Sequence, residues 1–262
     1  MKILFLDQSG DLGGAEISLL DIAKFYRDSC LVSLFVDGSF RKLLEENKIP
    51  VRILSDRAIA VSRNSSLCRG LASLGKLIPI IDRVTRLSYA YDLIYANTQK
   101  ALIVGAIANA ICRKPLVYHL RDILSSAHFS QTNCHLAVFF ANRFASLVIA
   151  NSKATSMAFL KAGGRTDLVK VVYNGFQSKQ YQNLGVKVIK VRQQLQFDEC
   201  FLVGHFSRFA FWKGQNILIE ALSYCPDNVV AIFVGGAFFG AEDYLQQLQE
   251  QVIKLKLEKR VH

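Results

Sequence analysis

Arg208 and Lys213 share the stretch "VGHFSRFAFWKGQNILIEAL", residues 203–222. A strand ends near Gly204 and a helix begins around Lys213-Gly214, so both cations fall on one strand-to-helix connection. Arginine offers a planar fork of donors, lysine a point charge, and a helix start free backbone N–H groups. That set clamps a diphosphate, with Gly214 letting it approach the backbone; two solvated surface cations are the other reading. A second loop, "SGDLGGAE" at residues 9–16, follows the apolar run Ile3-Leu4-Phe5-Leu6. Its glycines, Gly10, Gly13 and Gly14, fit neither G-x-G-x-x-G nor a P-loop. Taken alone it is a close-approach turn, either structural or ligand-binding. His119 closes the strand-like "LVYHL" and leads into the polar Leu120-Arg121-Asp122. It is either a hydrogen-bonded structural histidine or a functional one.

Other chemistries find less support. His128, His135 and His205 have no companions of matching type, and Cys134-His135 lacks two further ligands at metal-binding spacing. Cys30, Cys68, Cys112, Cys134, Cys200 and Cys225 form no C-x-x-C pair. Reduced, mostly buried thiols suit a cytoplasmic protein. No metal or other cofactor is expected. The absence of a Ser-His-Asp set or of paired carboxylates speaks against a hydrolase.

These loops need strands to end on and helices to open. Short apolar runs mark strands at Lys2–Leu6, Cys30–Val36, Val51–Leu54, Leu93–Tyr95, Leu116–His119, Leu147–Ala150, Val169–Val172, Phe201–Gly204 and Val229–Val234. Helical stretches lie between them, among them Glu16–Arg27, Lys100–Cys112 and Lys153–Ala162, the last stopped by Gly163-Gly164. Alternating strands and helices predict an α/β fold with a doubly wound parallel sheet covered on both faces. From Asn174 to Asp198 the chain turns polar and Gln-rich, with no convincing buried strand. The expected organisation is a Rossmann-like domain over 1–173, a linker over 174–198, and the first part of a second Rossmann-like domain over 199–262. That last part is too small for a complete sheet and stops at "LEKRVH", where a new strand begins, so a C-terminally truncated product is expected.

The net charge of +11, from 32 basic and 21 acidic residues, attracts polyanions. Arg57, Arg63, Arg69, Lys76, Arg83 and Arg86 face a single acid, Asp82. In the same segment Leu67, Leu71, Leu74, Ile78 and Ile81 keep helical spacing, although Pro79 argues against one unbroken helix. A solvated helix face and peripheral contact of Arg57–Arg86 with an anionic membrane are the two readings. Nucleic acid is not an expected partner, since no zinc-finger, RNA-binding or G-x-x-G signature accompanies the charge. No run reaches the roughly 18 apolar residues of a membrane span. The chain's start is too short for a signal-peptide core.

In register along the chain, "GGAE", "VIANSKATSMAFLKAG", "VVYNGF" and "SRFAFWKGQNILIEAL" together resemble family 4 glycosyltransferases, the "group 1" retaining enzymes of GT-B fold. The most specific piece is the last, similar to the family's S/G-R-L-S-P-W-K-G-Q phrase. The resemblance implies transfer of a sugar, with retention, from a nucleotide-diphosphate sugar to a saccharide or lipid-linked acceptor, in surface polysaccharide or glycolipid synthesis. It implies that Gly13 and Gly14 clear room for the donor diphosphate and acceptor, and that Arg208 and Lys213, followed by Gly214, hold the diphosphate. It also implies that His119 lies near the transferred sugar as the catalytic candidate, and that Asn174-Gly175 matches the family's "NG" at the interdomain turn. Glu16 matches the acid after the glycine pair, where a helix-start role competes with ligand contact. Cations aimed at the leaving diphosphate fit a metal-independent transfer.

The family's E-x7-E stretch has no counterpart after Lys213. Glu242 and Glu250 have nominal spacing but fall on an earlier helix, so the match is declined. Little transferase activity is therefore expected of these 262 residues. A non-catalytic nucleotide-sugar or polyanion-binding module and a membrane-peripheral interaction protein remain as alternatives.

Overall fold

The computed structural model describes residues 1–55, 67–125, 129–175, 185–194, 197, 199–237 and 241–262. The chain divides into two compact units, Met1–Phe176 and Gln177–His262.

In the first unit seven strands form one parallel sheet: β1 (Ile3–Asp7), β2 (Cys30–Leu34), β3 (Val51–Ile53), β4 (Leu93–Ala96), β5 (Leu116–Leu120), β6 (Leu147–Ala150) and β7 (Val169–Val171). Their order is β3-β2-β1-β4-β5-β6-β7. The chain thus winds outward on one side of β1 and then on the other, which makes β1/β4 the switch point where parallel sheets bind ligands at their carboxyl ends. Among the described residues six α-helices connect the strands: α1 (Gly14–Phe25), α2 (Ser39–Glu46), α3 (Leu67–Ser88), α4 (Gln99–Cys112), α5 (Gln131–Phe144) and α6 (Lys153–Lys161).

Alternation along each strand sorts side chains onto two faces. Leu4, Leu6, Ile94, Leu116 and Tyr118 join one core with Ile80, Val84, Leu102 and Val138 from the helices. Ile3, Phe5, Val32, Leu34, Tyr95 and Val117 join the other, with Leu19, Leu20, Ala23, Phe40 and Leu44. Both faces being covered, the strands read as continuous apolar runs. Each fully buried Leu or Phe contributes about 2–3 kcal/mol. The helices start differently. Thr98, Ser130 and Ser152 cap α4, α5 and α6 with side-chain oxygens, whereas α1 starts at Gly13 with no side-chain cap.

One expectation changes. α3 is one helix with Pro79 inside it. A proline removes one backbone N–H donor, but Leu77, Ile80 and Val84 are buried around it and tertiary packing keeps the segment in line. Within the stretch read as a linker, Gly185–Gln194 forms helix α7. Much of the Arg57–Arg86 basic segment lies outside the described residues. Where it is described, Arg83 donates to the Leu54 carbonyl at 2.6 Å and Arg86 pairs with Asp82 at 3.0 Å. Among the described residues no helix is long and apolar enough to cross a membrane.

The second unit also holds β8 (Phe201–Phe206), α8 (Gln215–Leu222), β9 (Val229–Val234) and α9 (Glu242–Lys254). β8 and β9 pair in parallel, and Val261 bridges Ala231 in the same direction. Ile219, Leu222, Ala231, Leu248 and Leu257 make its small buried core. The Arg260 guanidinium ties its lower edge, donating to the carbonyls of Leu222, Cys225, Pro226 and Val229.

Candidate active site

On one face of the first sheet the apolar side chains give way to polar ones at the carboxyl ends. Along β1 the sequence on that face is Ile3, Phe5, Asp7; along β4 it is Tyr95, then Asn97; along β5 it is Val117, His119, then Arg121. Asp7 is 0% exposed, Asn97 1% and His119 4%. Burial of that degree demands partners. Asn97 Nδ2 donates to Asp7 Oδ2 at 2.5 Å and to the Ala15 carbonyl at 3.3 Å, while Asn97 Oδ1 accepts from Arg121 Nε at 2.7 Å. Asp7 Oδ1 accepts the Ser9 N–H at 3.0 Å, and Asn151, just past β6, donates to the Arg121 carbonyl at 3.0 Å. One chain of hydrogen bonds therefore runs from the glycine loop across β1, β4 and β5.

Three donor or acceptor atoms of this rim have no hydrogen-bond partner among the described residues: His119 Nε2, Arg121 Nη1 and Arg121 Nη2. Burial holds the His119 pKa down at about 3, with the Arg121 charge adding to the effect, so the imidazole is neutral at physiological pH. Tyr95 Oη and His119 Nδ1 lie 2.5 Å apart, and burial pushes the phenol up to about 12. Burial also raises Asp7 and lowers Arg121. Glu16, 7% exposed in the first turn of α1, is pushed up to about 7, mainly by burial and then by the Asp7 charge.

The glycine loop divides by position. A Cβ on Gly10 would stand 2.3 Å from the Asp37 carbonyl oxygen, and one on Gly38 equally close to that of Gly10. Gly10 is thus cleared for the neighbouring loop's backbone, which also binds through Phe40 N–H to Gly10 O at 2.8 Å. At Gly13 a Cβ would meet Glu16 Oε2 at 2.7 Å, and at Gly14 it would meet nothing within 4 Å. Of the loop's three glycines Gly14 alone faces open space, while the space beside Gly13 is taken by the Glu16 carboxylate reaching back to the start of α1.

In the second unit the connection after β8 is built around backbone. A 3-10 turn at Phe211–Lys213 precedes α8, and Gly214, at φ 75°, forms the helix's N-cap. An L side chain rarely adopts that conformation. Gln215 is wholly buried; its Nε2 donates to Ser207 Oγ at 3.1 Å and to the Arg208 carbonyl at 2.9 Å. His205 Nε2 lies 3.0 Å from the Lys213 carbonyl. A Cβ on Gly235, past β9, would collide with the Ser207 carbonyl oxygen at 1.9 Å, so two backbones press together under the loop. The Arg208 guanidinium is half-buried and sits 5.4 Å from the Trp212 ring centre, a cation–π distance, while Lys213 is exposed.

Of the residues singled out in sequence, Gly13, Gly14, His119 and Asn174 belong to the first unit, and Arg208, Lys213 and Gly214 to the second. Asn174 is exposed, with its Oδ1 3.5 Å from Ser18 Oγ of α1. The rim's Asp7, Tyr95, Asn97 and Arg121 were not singled out. A signal for them exists: the apolar strand runs end in "LFLD", "IYAN", "YHLRD" and "VIAN". A surface cleft lined by Arg113, Lys114 and Arg143 lies at the amino ends of β5 and β6, away from this chemistry. Among the described residues no group of three or more His, Cys, Asp or Glu is placed to hold a metal ion.

A doubly wound parallel sheet with its polar rim at the switch point, followed by a βα unit with a cationic loop, is the GT-B type of arrangement. The family model described as Glycosyltransferase Family 4 matches residues 12–180, and the chain belongs to that family. HepE of Anabaena, solved in complex with UDP-glucose, is 55% identical over 100% of this chain and 68% of its own, with a TM-score of 0.90. A glycosyltransferase of Rickettsia africae matches at 17% identity over 100% of this chain and 67% of its own, with a TM-score of 0.74. Sucrose-phosphate synthase of Thermosynechococcus elongatus matches at 16% over 100% and 69%, with a TM-score of 0.76. At those identities the last two speak for the fold. A search of curated protein sequences gives no match.

Proposed function

We propose that this glycosyltransferase takes a nucleotide-diphosphate sugar as donor, with UDP-glucose the first to test, and passes the sugar with retention to a saccharide or lipid-linked acceptor. The observation that carries the reading is the 55% identity with HepE, whose structure was solved with UDP-glucose. The residues fit that chemistry. Leaving-group departure concentrates negative charge on the diphosphate, and the Arg208 fork, the Lys213 ammonium and the N–H groups opening α8 are the groups for it. In the first unit the rim holds unpartnered buried polar atoms, His119 Nε2 and the Arg121 Nη donors, near the carboxyl groups of Asp7 and Glu16. Mixed planar donors and acceptors suit sugar hydroxyls. His119, being neutral, serves as a hydrogen-bonding group rather than a proton donor of the imidazolium type. Gly14 leaves open space at the start of α1, Gly13 leaves room there for the Glu16 carboxylate, and both are assigned to the donor site, with Asn174, on the resemblance of "GGAE" and "NGF".

Calorimetric titration with UDP-glucose tests the reading, with UDP and glucose titrated separately. Saturable binding of UDP-glucose and UDP is expected. Binding of neither to folded protein would overturn the donor assignment.

A further inference from the structure

Tyr95 and His119 are adjacent-strand residues buried at 6% and 4% exposure, with ring centres 5.8 Å apart at 79°. Their contact is a single hydrogen bond of 2.5 Å between Tyr95 Oη and His119 Nδ1. Tyr95 Oη has no other hydrogen-bond partner among the described residues, and His119 Nε2 has none at all among them. A phenol keeps its hydrogen here, so that hydrogen needs an acceptor, and Nδ1 is the atom within reach. If Nδ1 accepts, the ring's own hydrogen sits on Nε2, leaving one unpartnered group. If Nδ1 carries the hydrogen instead, the Tyr95 O–H and the Nε2 lone pair are both stranded. The Arg121 charge favours a lone pair on Nε2, yet no hydrogen bond joins the two residues, so the count of stranded groups decides.

We propose that Tyr95 is a positioning residue that locks His119 in the Nε2–H tautomer, so that His119 offers its substrate a hydrogen-bond donor and selects an acceptor atom such as a sugar hydroxyl oxygen. The last clause rests on the reading of His119 as a sugar-facing residue; the tautomer does not. Phe5, packed edge-to-face on Tyr95 at 5.1 Å, holds the phenol ring from the other side. The hydroxyl is thus the part of Tyr95 that can be removed without emptying the core.

The test is the side-chain 15N spectrum of the 262-residue chain, which has five histidines. His119 is assigned by its contact with the Tyr95 ring and by its loss in His119→Gln. The wild-type spectrum is expected to place the bare nitrogen at Nδ1 and the hydrogen on Nε2. In Tyr95→Phe the ratio of Nε2–H to Nδ1–H should fall about tenfold, the effect of one lost hydrogen bond. An Nδ1–H wild type, or an unchanged ratio in folded Tyr95→Phe, would overturn the proposal. Should Tyr95→Phe fail to fold, the wild-type tautomer decides alone. UDP-glucose titration of the same sample reports separately on the donor reading.

Discussion

The rim of the first unit and the loop after β8 carry polar residues in opposite ways. Asp7, Asn97 and Arg121 are joined by side-chain bonds between residues far apart in sequence, with Asp7 and Asn97 buried and Arg121 half-buried. Arg208 and Lys213 sit close together in sequence on a loop whose shape comes from Gly214, Gln215 and backbone carbonyls. In the rim, fold and site are the same bonds; in the loop they are separate. Substitutions should therefore damage stability in one region and ligand affinity in the other.

Asn97→Ala is the harshest test of that contrast. It strands Asp7 Oδ2 and Arg121 Nε together, which should lower unfolding free energy by about 3 kcal/mol in urea. Lys213→Ala should stay within about 0.5 kcal/mol of wild type. Equal losses would erase the distinction.

Glu16 gives a pH-dependent version. Its carboxyl titrates near 7 in the fold against 4.5 for an ordinary glutamate, so the folded state holds that proton more tightly. The resulting stability is fully present below pH 4.5 and is lost as pH rises through about 7. The difference amounts to about 3 kcal/mol at most, and less with any relaxation around the group. Urea titrations across this window should show a falling stability in wild type and a flatter profile in Glu16→Gln, with Asp7 keeping a residual slope. An identical slope would remove Glu16 from the buried network.

A smaller effect is expected at Gly214. Forcing an alanine to φ 75° costs about 1–2 kcal/mol, and chemical denaturation of Gly214→Ala should show a loss of that size. No loss would mean the loop re-forms without its left-handed turn.

The α/β class and its strands were legible because strands buried on both faces leave uninterrupted apolar runs; β6 and β9 match their sequence ranges and the other ends shift by no more than two residues. α3 passed for a broken helix because Pro79 counts locally, while the buried Leu77, Ile80 and Val84 that hold it count only in three dimensions. The Arg208–Lys213 connection could be read because its residues are contiguous. The rim could be read only in part: His119 stands out by type, but Tyr95, Asn97 and Asp7 become its company only once β1, β4 and β5 lie side by side. Nothing local announces that a tyrosine in "LIYAN" meets a histidine in "LVYHL".

Donor recognition by the loop is the point on which the rest turns. Titration of UDP into wild type and Arg208→Ala, with urea unfolding of both, measures it directly. A charged hydrogen-bonding partner is worth about 1.5–3 kcal/mol, so affinity should fall at least about tenfold while unfolding free energy falls by no more than about 1 kcal/mol, the size of the Arg208–Trp212 cation–π contact. Unchanged affinity in the folded variant would contradict the assignment of Arg208 to the donor diphosphate.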